Sequence, residues 1–295
     1  MESTVFFGNG INLTVDGSSW DDILKRMSFG ESLPDISSYT LKYEYIILPM
    51  REKQKVPLLL NGQMFSVGGK VLSAQVSMEN DIVKKDLCRE LKNQAVSPLY
   101  TDLAKLNVPY YITTNYETLL NDELEILGYS REIPANDKMR LSARDTLIKD
   151  NKSVSLWNVH GNWNAPESIM LGMKDYCEYL AEINQYLTNG CSDSGLCWID
   201  LFLKTDVHII GFRLAYDETD LWYVLTHRKR LIRQAKTEVC NHIYYYVLDK
   251  YVDEGKNSLL KAMDVEVVII PSLSSREETS KNLFDMLRGR IGERK

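Results

Sequence analysis

Four short segments of the chain join an apolar run to residue types that handle sugars, phosphates and protons. The first is Phe6-Phe7-Gly8-Asn9-Gly10-Ile11-Asn12, a strand-like run followed at once by a glycine turn. Without a Cβ in the way, backbone N–H groups can approach a pyrophosphate, and the start of a following helix favours the anion. As a dinucleotide fingerprint it is incomplete, because Leu13 stands where G-x-G-x-x-G has its third glycine. The plain alternative is a tight turn. In the second segment, the apolar run from Tyr110 ends in Thr113-Thr114-Asn115-Tyr116-Glu117. An asparagine amide donates and accepts together, which suits holding a ribose hydroxyl or a water, although Thr114 or Asn115 could equally cap a helix. The third, Leu156-Trp157-Asn158-Val159-His160-Gly161-Asn162, puts a histidine where a strand stops. There it can act as general base or bond a sugar hydroxyl near neutral pH, or serve only as a structural hydrogen-bonding group. The fourth runs from Val207 into Gly211-Phe212-Arg213-Leu214, with Asp217 and Asp220 beyond. Each segment is common by itself. Their shared form, with Gly, Asn, His and Gly at the carboxyl ends of different strands, is what points to a ligand site.

The elements that must position these residues alternate. Strand candidates are Thr4 to Phe7, Tyr110 to Thr113, Val154 to Val159, Val207 to Ile210, Ile243 to Leu248 and Val265 to Ile270. Several are nearly unbroken apolar runs, as expected of central parallel strands buried on both faces, and helical spacing fills the intervals. Ser18 or Ser19 is placed to cap a helix carrying Trp20, Ile23, Leu24 and Met27. Tyr176, Leu180, Ile183 and Leu187 share another helical face, and Ser275 or Thr279 precedes a last helix that ends in basic, frayed residues. Between the first two strands lie mainly helical signals, including Asp81 to Lys92 and Pro98 to Lys105, too many for a simple crossover. The reading is one α/β domain over 1–295 with a helical insert at about 18–107. Asn189 to Gly195 reads as a surface loop.

Composition narrows the partners. The chain has 295 residues, with 35 Lys plus Arg against 41 Asp plus Glu and a formal net charge of −6, so its overall field does not favour nucleic acid or anionic membrane. No run approaches the roughly 20 apolar residues that span a bilayer, and no basic leader precedes the first strand, so a soluble, cytoplasmic protein is expected. The dense cationic run from His227 to Arg233 reads as a solvated helix face. His208, His227 and His242 read as structural. The five cysteines, Cys88, Cys177, Cys191, Cys197 and Cys240, contain no Cys-x-x-Cys pair, and reduced thiols with no bound metal are expected.

Taken in order, Gly8-Asn9-Gly10, Thr113-Thr114-Asn115-Tyr116-Glu117, Val159-His160-Gly161 and Gly211-Phe212-Arg213-Leu214 resemble the motif series of the sirtuin-like family, the relatives of silent information regulator proteins. The resemblance spans positions 4 to about 225 and is similar in kind to the bacterial antiphage-defence NADase branch. Family deacylases carry a four-cysteine zinc module between the His-Gly strand and the later glycine strand, where this chain has only Cys177, Cys191 and Cys197. Asn9 between the glycines, Glu117 and Arg213 depart from the family's usual residues.

The resemblance implies a Rossmann-like, doubly wound, mostly parallel sheet, NAD+ as substrate and cleavage of its nicotinamide–ribose bond when infection is sensed. It carries the catalytic asparagine onto Asn115 and the catalytic histidine onto His160. Gly8, Asn9, Gly10 and Ile11 would then hold the pyrophosphate, with Asn12, Thr114, Gly211, Phe212 and Asp217 contributing further cofactor contacts. By the same analogy the off state is a homo-oligomer or a complex with a separately encoded sensor such as a helicase-type ATPase, a short Argonaute or a nucleotide pyrophosphatase. Two other function classes stay open at this point: an NAD-dependent protein deacylase, and a noncatalytic nucleotide or nucleic-acid sensing module.

Overall fold

A strand that is apolar along its whole length can leave neither face in water, and such runs form the centre of the sheet. In the computed structural model, which describes residues 1–14, 19–28, 32–53, 59–60, 63–64, 83–93, 95–132, 140–189, 196–234 and 239–292, the strands are β1 (Ser3–Phe7), β2 (Leu59–Leu60), β3 (Gln63–Met64), β4 (Tyr110–Thr113), β5 (Ser130–Arg131), β6 (Asp145–Lys149), β7 (Lys152–Asn158), β8 (Asp206–Ile210), β9 (Ile243–Leu248) and β10 (Val265–Ile270). Eight of them make one sheet in the order β10-β9-β8-β1-β4-β7-β6-β5. From β10 to β7 every neighbour is parallel, while β6 runs antiparallel to β7 and to β5. The chain moves outward from β1 through β4 to β7 and then returns to the other side of β1 as β8. That reversal puts the topological switch point between β1 and β8, the part of an open α/β sheet near which ligands are received.

The helices are α1 (Trp20–Met27), α2 (Tyr39–Lys53), α3 (83–92), α4 (Leu99–Ala104), α5 (Leu119–Ile126), α6 (Met173–Asn189), α7 (Trp198–Lys204), α8 (Thr219–Gln234), α9 (Glu254–Ala262) and α10 (Arg276–Gly292). Successive residues of a strand point to opposite faces. Phe6 of β1 therefore joins Ile112, Trp157 and Ile209 in a core closed by Tyr179 of α6, Phe202 of α7 and Val224 of α8. Val5 and Phe7 join Tyr111, Leu156 and Ile210 in a second core, closed by Leu103 of α4, Leu120 of α5 and Phe284 of α10. The sheet is thus covered on both sides. No helix among the described residues is long and apolar enough to cross a membrane.

A third core belongs to the helices between β1 and β4. Ile23 and Leu24 of α1, Ile46 and Ile47 of α2, and Leu87 and Leu91 of α3 pack on Tyr116, Ile169 and Leu171, which follow β4 and β7. These helices roof the strand ends. The start of α1 is fixed locally: the Asp22 N–H donates to Ser19 Oγ at 3.2 Å, with Asp21 and Asp22 in the first turn and Lys25 and Arg26 in the last. Ser19→Ala is expected to lower stability by about 1 kcal/mol, read as a fall of about 2–4 °C in the thermal midpoint.

All six expected strands are present, with ends displaced by no more than two residues. The structure adds the edge pair β5 and β6, neither of which has an apolar run of that kind, and the short β2–β3 ladder. A usable signal does exist for β6, since Asp150 and Asn151 join it to β7 with φ of 48° and 62°, the two-residue turn that suits a hairpin. Ser18, Asp81 and residues 190–195 and 293–295, on which a cap alternative, a helix start, the surface loop and the basic terminus are expected, lie outside the described residues.

Candidate active site

The turns that follow β1 and β8 meet because the two strands are parallel neighbours with Phe7 opposite Ile210. Gly8 N–H donates to the Ile210 carbonyl at 3.2 Å and Gly10 N–H to the Gly211 carbonyl at 2.6 Å. A Cβ on Gly10 would stand 2.5 Å from the Gly211 oxygen, and Gly211 itself has a φ of +57°. The glycines are therefore required by the contact of one turn with the other. Their consequence for a ligand is specific. The N–H groups of Gly8, Gly10 and Ile11 point at Ile210, Gly211 and Gly8 carbonyls, and the side chains of Ile11 and Phe212 are buried in the two cores. What this turn presents to the neighbouring cleft is Asn9 and Asn12.

That cleft has a volume of about 570 Å³ including its open mouth, and Asn9, Asn12, Asn115, Glu117, Trp20 and Trp163 are among its walls. One hydrogen-bond chain links its three asparagines and Glu117. Asn12 Nδ2 donates to Asn9 Oδ1 at 3.0 Å and also to Glu117 Oε1, which accepts from the Tyr100 hydroxyl at 2.5 Å. Tyr100 in turn accepts from Asn115 Nδ2 at 3.3 Å. Burial, and then the charge of Glu117, push the Tyr100 hydroxyl well above its ordinary pKa, so it stays a donor. The Asn115 backbone is held as firmly: its N–H donates to Thr113 Oγ1 at 3.0 Å, and its carbonyl accepts from Asn158 Nδ2 at 2.9 Å. Neither Thr114, which is buried, nor Asn115 caps α5, whose N-cap is Thr118. The capping alternative is removed.

His160 comes from the neighbouring strand. Thr113 of β4 is in register with Asn158 of β7, so Asn115 and His160 each stand two residues past the same rung. The loops carrying them are tied together, since Trp163 N–H donates to the Tyr116 carbonyl at 2.8 Å and the Tyr116 hydroxyl donates to the Met170 carbonyl. His160 does not line the Asn115 cleft. Its Nε2 lies 2.8 Å from Asp220 Oδ2, with side chains only 4% and 0% exposed. Its Nδ1 lies 3.5 Å from the Tyr176 hydroxyl. Glu218 is beside them, half-buried as a residue but with Oε2 buried and without a hydrogen-bond partner, as is Asp220 Oδ1. Asp217 is exposed, just before α8.

The charges in this cluster oppose one another. Burial alone would lower the His160 pKa, but the charge and hydrogen bond of Asp220, with Glu218 behind them, more than offset it, and the net shift is upward. Glu218 is pushed up to about 7 by burial, with Asp220 and Asp217 adding and His160 opposing. Both groups thus bind protons more tightly folded than unfolded. By linkage their stabilisation is greatest at low pH: the Glu218 part is lost from about 4.5 up to about 7, and the His160 part as pH rises above its unfolded value of 6.5. Between pH 5 and 8 the wild type is expected to lose on the order of 2 kcal/mol more stability than Glu218→Gln, measured by urea unfolding.

His160, Glu218 and Asp220 each offer one ligand atom, all within 4.8 Å, and are the one such group among the described residues. Imidazole with two carboxylates suits a divalent cation chemically. In the structure, however, the His160 nitrogen facing the carboxylates is engaged by Asp220, so a cation would have to take the place of that hydrogen bond. The cysteines form no such group among the described residues: Cys177 and Cys240 are exposed, Cys88 is buried, and Cys197 is buried with its thiol pushed up to about 12 by burial.

The structure therefore gathers Asn9, Asn12 and Asn115 around Glu117, sets His160 against Asp220, and uses Gly8, Gly10, Gly211, Ile11 and Phe212 as the packed support between them. Tyr100, Tyr176 and Glu218 are not legible in the sequence, because a tyrosine or glutamate on or beside a helix carries no spacing that ties it to a distant strand end. In the cationic run, Arg228 is buried and donates to Asn241 Oδ1 at 3.1 Å, and Lys229 pairs with Asp264. His208 stacks on Tyr244 at 5.0 Å and bonds Tyr246, a structural role.

A parallel sheet wound both ways around β1, with polar side chains at the carboxyl ends of three adjoining strands, defines an α/β protein of Rossmann-like type with its candidate site beside the topological switch. The model of the SIR2-like domain family matches residues 109–268, just over half of the chain, and the protein belongs to that family. The match runs from the entry to β4 into β10, and so includes Asn115, His160 and Asp220 but not the glycine turn after β1. No curated protein matches the chain.

Proposed function

We propose that this protein is an NAD+ glycohydrolase that depletes NAD+ as an effector of bacterial antiphage defence. Family membership supports chemistry on NAD in general, and the observation that carries the finer reading is the placement of Asn115 and His160 two residues beyond one rung of adjacent parallel strands. NAD+ is the substrate, and nicotinamide departs as a neutral base from a ribose that becomes oxocarbenium-like, as in glycoside hydrolysis. Asn115, clamped by Tyr100 and Asn158, positions the ribose and the attacking water. His160 takes up the proton, and Asp220 stabilises the imidazolium. Asn9 and Asn12 offer side-chain amides to the remaining hydroxyls and phosphates.

An enzyme that empties the NAD+ pool needs an off state, and the proposal includes one: a homo-oligomer, or a complex with a separately encoded sensor such as a helicase-type ATPase, a short Argonaute or a nucleotide pyrophosphatase. The experiment is to incubate the purified protein with NAD+, alone and together with the products of neighbouring genes, and to follow nicotinamide and ADP-ribose by chromatography. Nicotinamide release that needs no acylated peptide is expected. Release only with an acylated peptide, or none under any pairing, would overturn the assignment.

A further inference from the structure

Which nitrogen of His160 is basic depends on what each one faces. Nε2 lies 2.8 Å from Asp220 Oδ2, and a carboxylate only accepts, so Nε2 carries the hydrogen. Nδ1 is then left with the lone pair. Its partner is the Tyr176 hydroxyl at 3.5 Å, an oxygen able to donate, across an edge-to-face contact with ring centroids 5.3 Å apart. Tyr179, on the same helix, meets the His160 ring edge-on as well, with centroids 6.4 Å apart. The imidazole is therefore held from α8 by Asp220 and from α6 by two tyrosines. Of these residues Tyr176 is half-buried, whereas His160, Asp220 and Tyr179 are buried.

We propose that Asp220 is a positioning residue that holds His160 as the Nε2–H tautomer, and that the Tyr176 hydroxyl is the catalytic group through which protons reach Nδ1. The role rests on the glycohydrolase reading; the tautomer and the Tyr176 contact do not. In the step, the substrate O–H gives its proton to the Tyr176 oxygen as the Tyr176 O–H gives its own to His160 Nδ1. The tyrosine is neutral before and after, the substrate oxygen keeps the electron pair, and the new positive charge sits on an imidazolium facing the Asp220 carboxylate. Burial, with Glu218 next in effect, raises the Tyr176 hydroxyl well above its ordinary pKa. It is thus a conduit rather than a base, and the 3.5 Å contact is one that a bound substrate would be expected to tighten.

The test begins without substrate. In protein labelled with ¹⁵N-histidine, the chain's four histidines give a small set of ring signals, and His160 is assigned by the one missing in His160→Gln. At a pH high enough to exceed the raised His160 pKa, a neutral His160 with hydrogen on Nε2 is expected, as is a shift of its Nδ1 resonance toward that of an unbonded nitrogen in Tyr176→Phe. A wild-type Nδ1–H tautomer, or an Nδ1 resonance indifferent to Tyr176→Phe, overturns the proposal. Where NAD+ is cleaved, Tyr176→Phe is expected to lower kcat about 10²-fold with KM little changed, and an unchanged kcat overturns the relay. A wild type that never releases nicotinamide sinks the glycohydrolase reading and the relay's catalytic role, while the ring signals still decide the tautomer.

Discussion

Asn115→Ala and His160→Ala are each expected to reduce nicotinamide release by about 10²–10⁴-fold, through different losses. At Asn115 the change removes the amide that Tyr100 and Glu117 hold in one orientation. In the proposed mechanism ground-state binding also draws on Asn9 and Asn12, which line the same cleft, so most of the loss should fall on kcat rather than KM. At His160 the change removes the proposed proton acceptor and leaves the Asp220 and Glu218 carboxylates facing each other in the interior. That variant is therefore expected to lose stability as well, and most at high pH, where both carboxylates are charged. His160→Gln keeps a donor near Asp220 and separates the two effects: its thermal midpoint should recover while its activity does not. Activity equal to wild type in either alanine variant would remove the residue from the mechanism.

The largest effect on the fold is expected at Gly161, immediately after His160. Its φ is +91°, and a Cβ there would stand 2.2 Å from the Ser168 carbonyl oxygen, 2.4 Å from its carbon and 2.6 Å from the Ile169 nitrogen. These are backbone atoms of the return loop that pins Met170 N–H to the His160 carbonyl at 2.9 Å, so none can swing aside. Gly161→Ala is expected to cost at least about 4 kcal/mol, through strain and a clash that nearby rotamers cannot relieve. Chemical denaturation would measure it. Gly289→Ala supplies the contrast: nothing lies within 4 Å of a Cβ there, and Gly289 is within α10. That change is expected to stabilise by about 0.5–1 kcal/mol. A tolerated Gly161→Ala would mean that the loop carrying His160 is looser than its contacts indicate.

Much of this arrangement is legible in the order of the amino acids, for physical reasons that can be named. β1, β8 and β9 are strands buried along almost their whole length, so their runs are mainly apolar, with Ser3 and Thr4 opening β1 and Asp206 and His208 the polar members of β8. Ser19 announces α1 because a cap acts within one turn. β6, next to the edge of the sheet, is hidden because a short strand of mixed burial carries no comparable run, although Asp150 and Asn151 mark its hairpin. The glycine turn is recognisable as a turn, but its sequence suggests open N–H groups, whereas Gly8 and Gly10 donate to residues two hundred positions away.

Which residues stand at strand ends follows from the chain alone, because local polarity and the alternation of side chains along a strand mark them. Asn115, His160 and Gly211 are identifiable on that basis. Which of them meet is settled by the fold. Register sets Asn115 and His160 each two residues past one rung, strand order brings Gly211 against Gly10, and the packing of α8 on the sheet delivers Asp220 to an imidazole sixty residues earlier. Such pairings depend on crossings between distant elements, which no local spacing encodes. The shift of Glu218 to about 7 arises from the same source, since burial and neighbouring charge exist only once the chain has closed around them.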